Sequence, residues 1–253
     1  MGNVLALLVV AILVGGSLQR VAGMGFGLVA GPFIVLLIGP VEGVLFVNLA
    51  GAMMALLVLG RTIRGVDWRR YRWLVTASIL VTVPAALLIR DASASVLEIS
   101  MGGVVVGAML LAQVTSRLRG AERTFAPEAR LPLLLTGAAA GFGSVAAGIS
   151  GPPIAVYSVL DRWDPRAFAA TVQPIFLTNA LAAMAAKLLV GDATFPDLAV
   201  WEWVTVGVAL VVSVGLGELL AGRISASATR KVLVTLAYAG GLATLGRGLL
   251  GLF

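Results

Sequence analysis

The chain has 253 residues, of which 60% are hydrophobic and only 12% charged, and its mean hydropathy is +1.04. Soluble domains carry about 25% charged residues, so a soluble domain is excluded and the bilayer is the solvent. The formal charge of +6 would point to nucleic acid in a soluble protein; here it falls in loops, where basic residues set membrane orientation. There is no Cys, hence no disulfide or thiolate chemistry, and no His, the commonest general base and metal ligand.

Each apolar run of about 16–23 residues reads as a candidate span. Val4–Leu18 is apolar and, with Arg20 the first charge, lacks the basic start of a signal peptide. Gln19 and Arg20 lead into Gly23, Gly25 and Gly27, then apolar Leu28–Ile38 and a turn at Gly39-Pro40. Val44–Gly60 spans with one polar residue, Asn48. Arg61–Arg72 holds five Arg and one Asp and is the strongest cytoplasmic marker. Leu74–Ile89 spans with Pro84 as a kink, Arg90–Glu98 is a short loop, and Ile99–Val114 spans back. Thr115–Pro132 is the longest polar segment and reads as a cytoplasmic linker, dividing one membrane domain into repeat 1 (1–115), linker (116–131) and repeat 2 (132–253). Leu133–Leu160 follows, then a turn with Asp164 starting a helix. Ala167–Leu189 carries Gln173-Pro174 and Asn179. Val190–Trp203 is acidic, Val204–Leu220 spans, Gly222–Lys231 is basic, and Val232–Leu245 is the last span.

Two stretches cannot be ordinary spanning helices. Gly137–Pro153 contains five glycines and ends in Pro-Pro, and Gly16–Pro32 is a second copy. Glycine weakens a helix and proline leaves backbone groups unsatisfied, which in lipid is tolerated only where protein or a water-filled cavity covers them. Gly31-Pro32 matches Gly151-Pro152, and Gly23 matches Gly143, at a spacing of 120. Pro40 matches Pro165 and Asn48 matches Gln173 at 125. Ser93-Ala-Ser95 matches Ser225-Ala-Ser227 at 132.

Loop charge sets the symmetry. Arg61–Arg72 carries +4 against −3 for its counterpart Val190–Trp203, and Arg90–Glu98 carries −1 against +3 for Gly222–Lys231. Basic loops stay in the cytoplasm, so corresponding loops lie on opposite faces. The expected fold is an all-α integral membrane protein of two inverted repeats. Each repeat is a Gly-rich broken-helix (re-entrant) hairpin plus about three transmembrane helices, with both termini outside. The 28 residues of Leu133–Leu160 are too few for two crossings of about 20 residues each. The first copy is longer, and its first arm has the length to reach across.

The candidate site residues are polar groups inside these spans. Arg20 is the only charge in a Gly-rich arm, beside Gln19. A guanidinium in hydrocarbon costs about 2.5–3.5 kcal/mol on insertion scales, so Arg20 either grips an anion through its planar fork or snorkels to an interface. Gly25, Gly27, Ser150 and Gly151 offer backbone N–H groups at broken-helix starts, or else serve tight packing. The bends themselves are assigned to Gly31-Pro32 and Pro152-Pro153. Asn48 and Gln173 lie about 9–12 Å deep from opposite faces and either meet near the midplane or form ordinary interhelical hydrogen bonds; Asn179 is a weaker case. Glu42, Glu98 and Glu218 read as solvated interfacial carboxylates and Lys187 as a snorkelling end residue. A Val at Gly151 is expected to abolish function and one at Gly31 to fail in the same way, while one at Gly102, in an ordinary span, is expected to be milder. No metal or cofactor site and no catalytic constellation is expected.

The segment Gln19-Arg-Val-Ala-Gly-Met-Gly-Phe-Gly27 leading to Gly31-Pro32, and Gly141-Phe-Gly143 leading to Gly148-Ile-Ser-Gly-Pro-Pro153, resemble the sulfite exporter TauE/SafE family, also called the toluene-sulfonate uptake permease family. The resemblance covers nearly the whole chain. It implies secondary transport of a small sulfur-containing anion, sulfite or an organosulfonate, across the bacterial inner membrane, with no enzymatic activity. The alternatives are an anion channel and a non-transporting subunit of a larger complex. The expected partners are the anion and the lipid bilayer, with a homodimer left open and no nucleic acid.

Overall fold

The computed structural model describes residues 2–117, 125, 129–190 and 193–252. These residues form helices and no strand: α1 (Gly2–Ala22), α2 (Phe26–Ile38), α3 (Pro40–Thr62), α4 (Trp68–Ile89), α5 (Ala94–Arg117), α6 (Leu131–Ala147), α7 (Gly151–Leu160), α8 (Pro165–Val190), α9 (Val200–Leu220) and α10 (Ala226–Leu250). A single 3-10 turn, Ile63–Gly65, follows α3. The linker expected over 116–131 lies mostly outside the described residues.

Local sequence explains where the helices start. Pro40 and Pro165 open α3 and α8, where a missing N–H costs nothing. Asp67 Oδ1 accepts from the N–H groups of Arg69 and Arg70 at 3.1 and 3.0 Å and caps α4. Asp164 Oδ1 does the same for α8, accepting from Arg166 and Ala167 at 3.1 and 2.9 Å. Ser93 Oγ accepts from Val96 N at 3.4 Å and Ser225 Oγ from Ala228 N at 3.2 Å, so the serines paired at a spacing of 132 are matching caps of α5 and α10.

Seven helices (α1, α3, α4, α5, α8, α9 and α10) are long and apolar enough to cross a membrane. The other three are short. At about 1.5 Å per residue, the 17 residues of α6 reach about 26 Å and the 10 of α7 about 15 Å, so the second Gly-rich segment is a broken hairpin and not two crossings. In the first copy, α1 has 21 residues and α2 has 13, so there the first arm alone is long enough to span.

The repeat register differs from the sequence expectation. The first break falls at Gly23–Gly25 and the second at Gly148–Ser150. Phe26 and Gly151 start the second arms, so the spacing of 125 that relates Pro40 to Pro165 already holds at the breaks. The match of Gly31-Pro32 to Gly151-Pro152 is therefore not structural, and neither is Gly23 to Gly143. Gly31 and Pro32 are buried inside α2, not at a bend, whereas Pro152 and Pro153 occupy the first turn of α7. A Gly-Pro pair suits both settings, because helix interiors packed by neighbours tolerate proline and first turns favour it.

The main helix pairs form a set that exchange of the two halves maps onto itself. α1 packs on α9 and α6 on α4; α2 packs on α10 and α7 on α5; α3 meets its mate α8, and α5 meets α10. Small residues make these approaches close. Gly137 and Gly141, one turn apart on α6, lie on Leu74 and Ser78 of α4; a Cβ on Gly141 would stand 2.5 Å from Ser78 O. Gly16, 125 residues before Gly141, lies on Ser213 of α9 in the same way. Leu80, Leu88, Leu135, Leu189, Val200 and Leu250 point outward, an apolar exterior that suits lipid.

Candidate functional site

The two breaks face each other in the middle of the helical assembly. Each turns where a side chain would be strained: Gly23 and Gly25 have φ of 80° and 141°, and Gly148 has φ of 68°. The tips touch, since a Cβ on Gly27 would stand 2.9 Å from Gly148 O and 3.1 Å from Ile149 Cγ1. Gly25 precedes α2 and Ser150 precedes α7, and neither residue caps its helix through a side chain.

Between the tips lies a cavity of about 50 Å³, room for a few waters. Of the residues singled out from the sequence, Gln19, Gly25, Gly27, Asn48, Ser150 and Gly151 line it. Among the described residues no charged side chain does. The polarity comes from backbone: the first N–H groups of α2 and α7 have no intrahelical partner, and both helices aim the positive end of their dipole inward. Pro152 and Pro153 carry no N–H, so α7 offers fewer donors than α2. The Ser150 hydroxyl and the Gln19 and Asn48 amides are the polar side chains beside these starts.

The polar residues near the breaks hold them in shape. Gln19 Oε1 accepts from Phe26 N at 3.1 Å and fixes the first break. Asn48 Nδ2 donates to Val44 O at 2.9 Å and to Ser144 O at 3.1 Å, and Ser144 Oγ donates back to Asn48 Oδ1 at 3.0 Å. Gln173 Nε2 donates to Gly23 O at 3.3 Å and to Ala169 O at 3.2 Å. The repeat mates therefore do not meet, contrary to one expectation. Each reaches across and ties the break of the opposite half. Gln173 does not line the cavity, and its Oε1 is buried without a partner among the described residues. Asn179 Oδ1 accepts from Ser78 Oγ at 2.8 Å and links α8 to α4, also outside the lining. Ser144 was not foreseen from the sequence; its only signal is a hydroxyl inside an apolar Gly-rich arm.

Arg20 is likewise outside the lining. Its Nε lies 3.4 Å from Glu218 Oε1, with both side chains 34% exposed, and Glu218 also pairs with Arg61. Glu218 thus joins α1, α3 and α9 and is not simply solvated. Glu98 departs from expectation too: its carboxylate is 5% exposed and accepts from Arg247 Nε at 3.1 Å, while Arg247 Nη1 donates to Leu36 O at 2.8 Å. Lys187 is buried, three residues before the end of α8.

A third charged cluster joins the halves at the start of α4. Arg70 Nη1 donates to Asp67 Oδ2 and Nη2 to Asp161 Oδ2, both at 2.6 Å, and its guanidinium carbon sits 4.8 Å from the Trp163 ring centroid. Burial alone would raise the Asp67 carboxyl, but hydrogen bonds from Arg70 and Arg69 and the Arg70 charge outweigh it and hold Asp67 below the usual carboxylate range.

A second, larger cavity of about 580 Å³ adjoins the first. Met24 and Leu28 line both. Its walls come from α5, α7 and the start of α10, and Arg230 is its only charged lining residue among those described. No group of metal-ligating side chains occurs among the described residues.

The family model for sulfite exporter TauE/SafE matches residues 7–244, which include both hairpins, both cavities and all but the last turns of α10. No curated protein and no solved structure matches the chain. The apolar helices, the paired breaks and the extent of this match lead to one assignment: the chain belongs to the sulfite exporter TauE/SafE family, a family of membrane transporters.

Proposed function

We propose that the protein is a secondary transporter that carries a small sulfur-containing anion, sulfite or a sulfonate, across the bacterial inner membrane by alternating access. The observation that carries this reading is the convergence of two helix starts on one small cavity that no carboxylate among the described residues lines. A desolvated anion there exchanges water for backbone N–H donors of Gly25, Gly27, Ser150 and Gly151 and gains the field of two dipoles. Binding sites at broken helices between two repeats are the common plan of such transporters. Loop charge orients the halves as an inverted pair, with Arg61–Arg72 and Gly222–Lys231 in the cytoplasm and both termini outside. On that orientation the larger cavity, lined by Gly222 and Arg230, lies toward the cytoplasmic side.

A thermal-shift screen against sulfite, thiosulfate, sulfoacetate, taurine and simple carboxylates tests the substrate class. An anion present at a hundred times its Kd adds about 2.7 kcal/mol, or about 5–10 °C in apparent Tm for a chain of this size. Saturable, concentrative flux of the same anion in proteoliposomes is the expected companion result. Flux that never saturates would turn the reading to a channel, and no shift with any sulfur oxyanion would remove the substrate class. For orientation, Gly65→Cys is expected to be shielded from an impermeant thiol reagent in intact cells and Ala193→Cys to be labelled; equal exposure of the two defeats the inverted arrangement, and the reverse pattern overturns the orientation.

A further inference from the structure

We propose that Met24 is the partition between the small cavity and the large one, and that its side chain sets the size of anion that passes between them. The inference rests on the transport reading for its meaning but not for its geometry. Met24 and Leu28 are the two residues that line both spaces. Leu28 is fixed, buried at 5% exposure on α2 in a cluster with Val44, Met101 and Ile149. Met24 lies between the helices, in the turn from Gly23 to Gly25. The backbone on either side of it is held: Gly23 O by Gln173 Nε2, and Phe26 N by Gln19 Oε1. The thioether chain is the part free to turn, and Met is unbranched with three rotatable bonds.

That chain reaches across the gap between the two helix starts. Met24 Sδ stands 3.7 Å from the position a Cβ on Gly151 would take, and Phe176 Cζ stands 3.5 Å from the same point. The thioether therefore lies over the start of α7, at the boundary of the cavities of about 580 Å³ and about 50 Å³. An anion moving from the wide space to the narrow one must displace it. A shorter residue at position 24 merges the two spaces, and a bulky one seals them.

The absence of cysteine in the chain makes the test direct. Gly51 lines the small cavity, and a Cβ added there meets nothing within 4 Å, so Gly51→Cys places a thiol at the cavity wall without a clash. The probe is the anionic thiol reagent methanethiosulfonate ethylsulfonate, applied to purified, monodisperse protein. Met24→Ala is expected to speed labelling about tenfold and Met24→Trp to slow it about tenfold relative to the parent, each step a change in the access barrier. Equal labelling rates in all three overturn the proposal. In proteoliposomes, Met24→Ala is expected to raise the flux of benzenesulfonate relative to sulfite, and an unchanged ratio overturns the size-selection part. Labelling that follows residue 24 while no anion is transported keeps the partition and removes the transport reading, so the two failures are distinct.

Discussion

Adjacent glycines on α5 provide a sharp test of the packing. A Cβ on Gly102 would stand 2.6 Å from Gly241 O and from Leu245 N, and 2.7 Å from Leu245 Cβ, all on α10. On Gly103 it would meet nothing within 4 Å. Gly102, expected to be milder than Gly151, is the tighter of the two within the protein, since a Cβ on Gly151 has 3.5 Å of clearance. Replacing helical Gly by Ala gains about 1 kcal/mol of helix propensity. At Gly103 nothing opposes that gain. At Gly102 the obstacles are mainly backbone atoms, so α5 and α10 must part along a seam that also includes Gly241 and Gly248. Overpacking of this kind costs about 1–3 kcal/mol, and rigid obstacles put it at the upper end, for a net loss of about 2 kcal/mol. The two alanine variants then differ by about 3 kcal/mol, or about 6–12 °C in apparent Tm at 2–4 °C per kcal/mol. Differential scanning fluorimetry of purified Gly102→Ala and Gly103→Ala, side by side in one detergent, reads this directly. Equal shifts, or a more stable Gly102→Ala, would refute the close approach of the two helices.

Two further outcomes follow from the charged clusters. Arg20 touches Glu218 and not the cavity, so Arg20→Lys is expected to keep sulfite flux, and Glu218→Gln to cost no more than about 1 kcal/mol because the pair is half in solvent; loss of flux in Arg20→Lys at wild-type Tm would return the guanidinium fork to the substrate. Asp67→Asn retains an N-cap side chain but loses the charge facing Arg70. The folded-state pKa of Asp67 is depressed, so its contribution is complete above the unfolded value of about 3.9 and is lost as pH falls through the lower folded value. The Tm gap between wild type and Asp67→Asn is expected to be constant from pH 7 to pH 5 and to close below about pH 4; a gap that closes already between pH 7 and 5 contradicts this.

Spans and caps were legible in the sequence because they are local. Apolar run lengths located the long helices, Asp164 was readable as a helix start, and Ser93 and Ser225 as a repeated pair. The broken character of the Gly-rich arms was also legible, and with it Gln19, Gly25, Gly27, Asn48, Ser150 and Gly151 of the cavity wall. The register of the breaks was not, since Gly31-Pro32 and Gly151-Pro152 are identical dipeptides whose roles differ only through what packs around them. The partners of charges and amides were hidden for the same reason: Asn48 and Ser144 are 96 residues apart, and Arg20 and Glu218 are 198. Gly102 and Gly103 show the limit most plainly. In lipid an apolar residue marks neither the inside nor the outside of a helix, so neighbouring glycines facing a seam and facing lipid look alike.

The crosswise ties at the two breaks also impose an order on how the protein is made. Asn48 precedes the hairpin it supports, so when Ser144 emerges from the ribosome its amide partner is already in the membrane. Gln173 follows its target by 150 residues, roughly 8–30 s of synthesis at 5–20 residues per second. Through that interval the Gly23 carbonyl lacks the bond it has in the finished protein. The first break is completed only when α8 arrives, while the second closes onto a helix that was waiting for it.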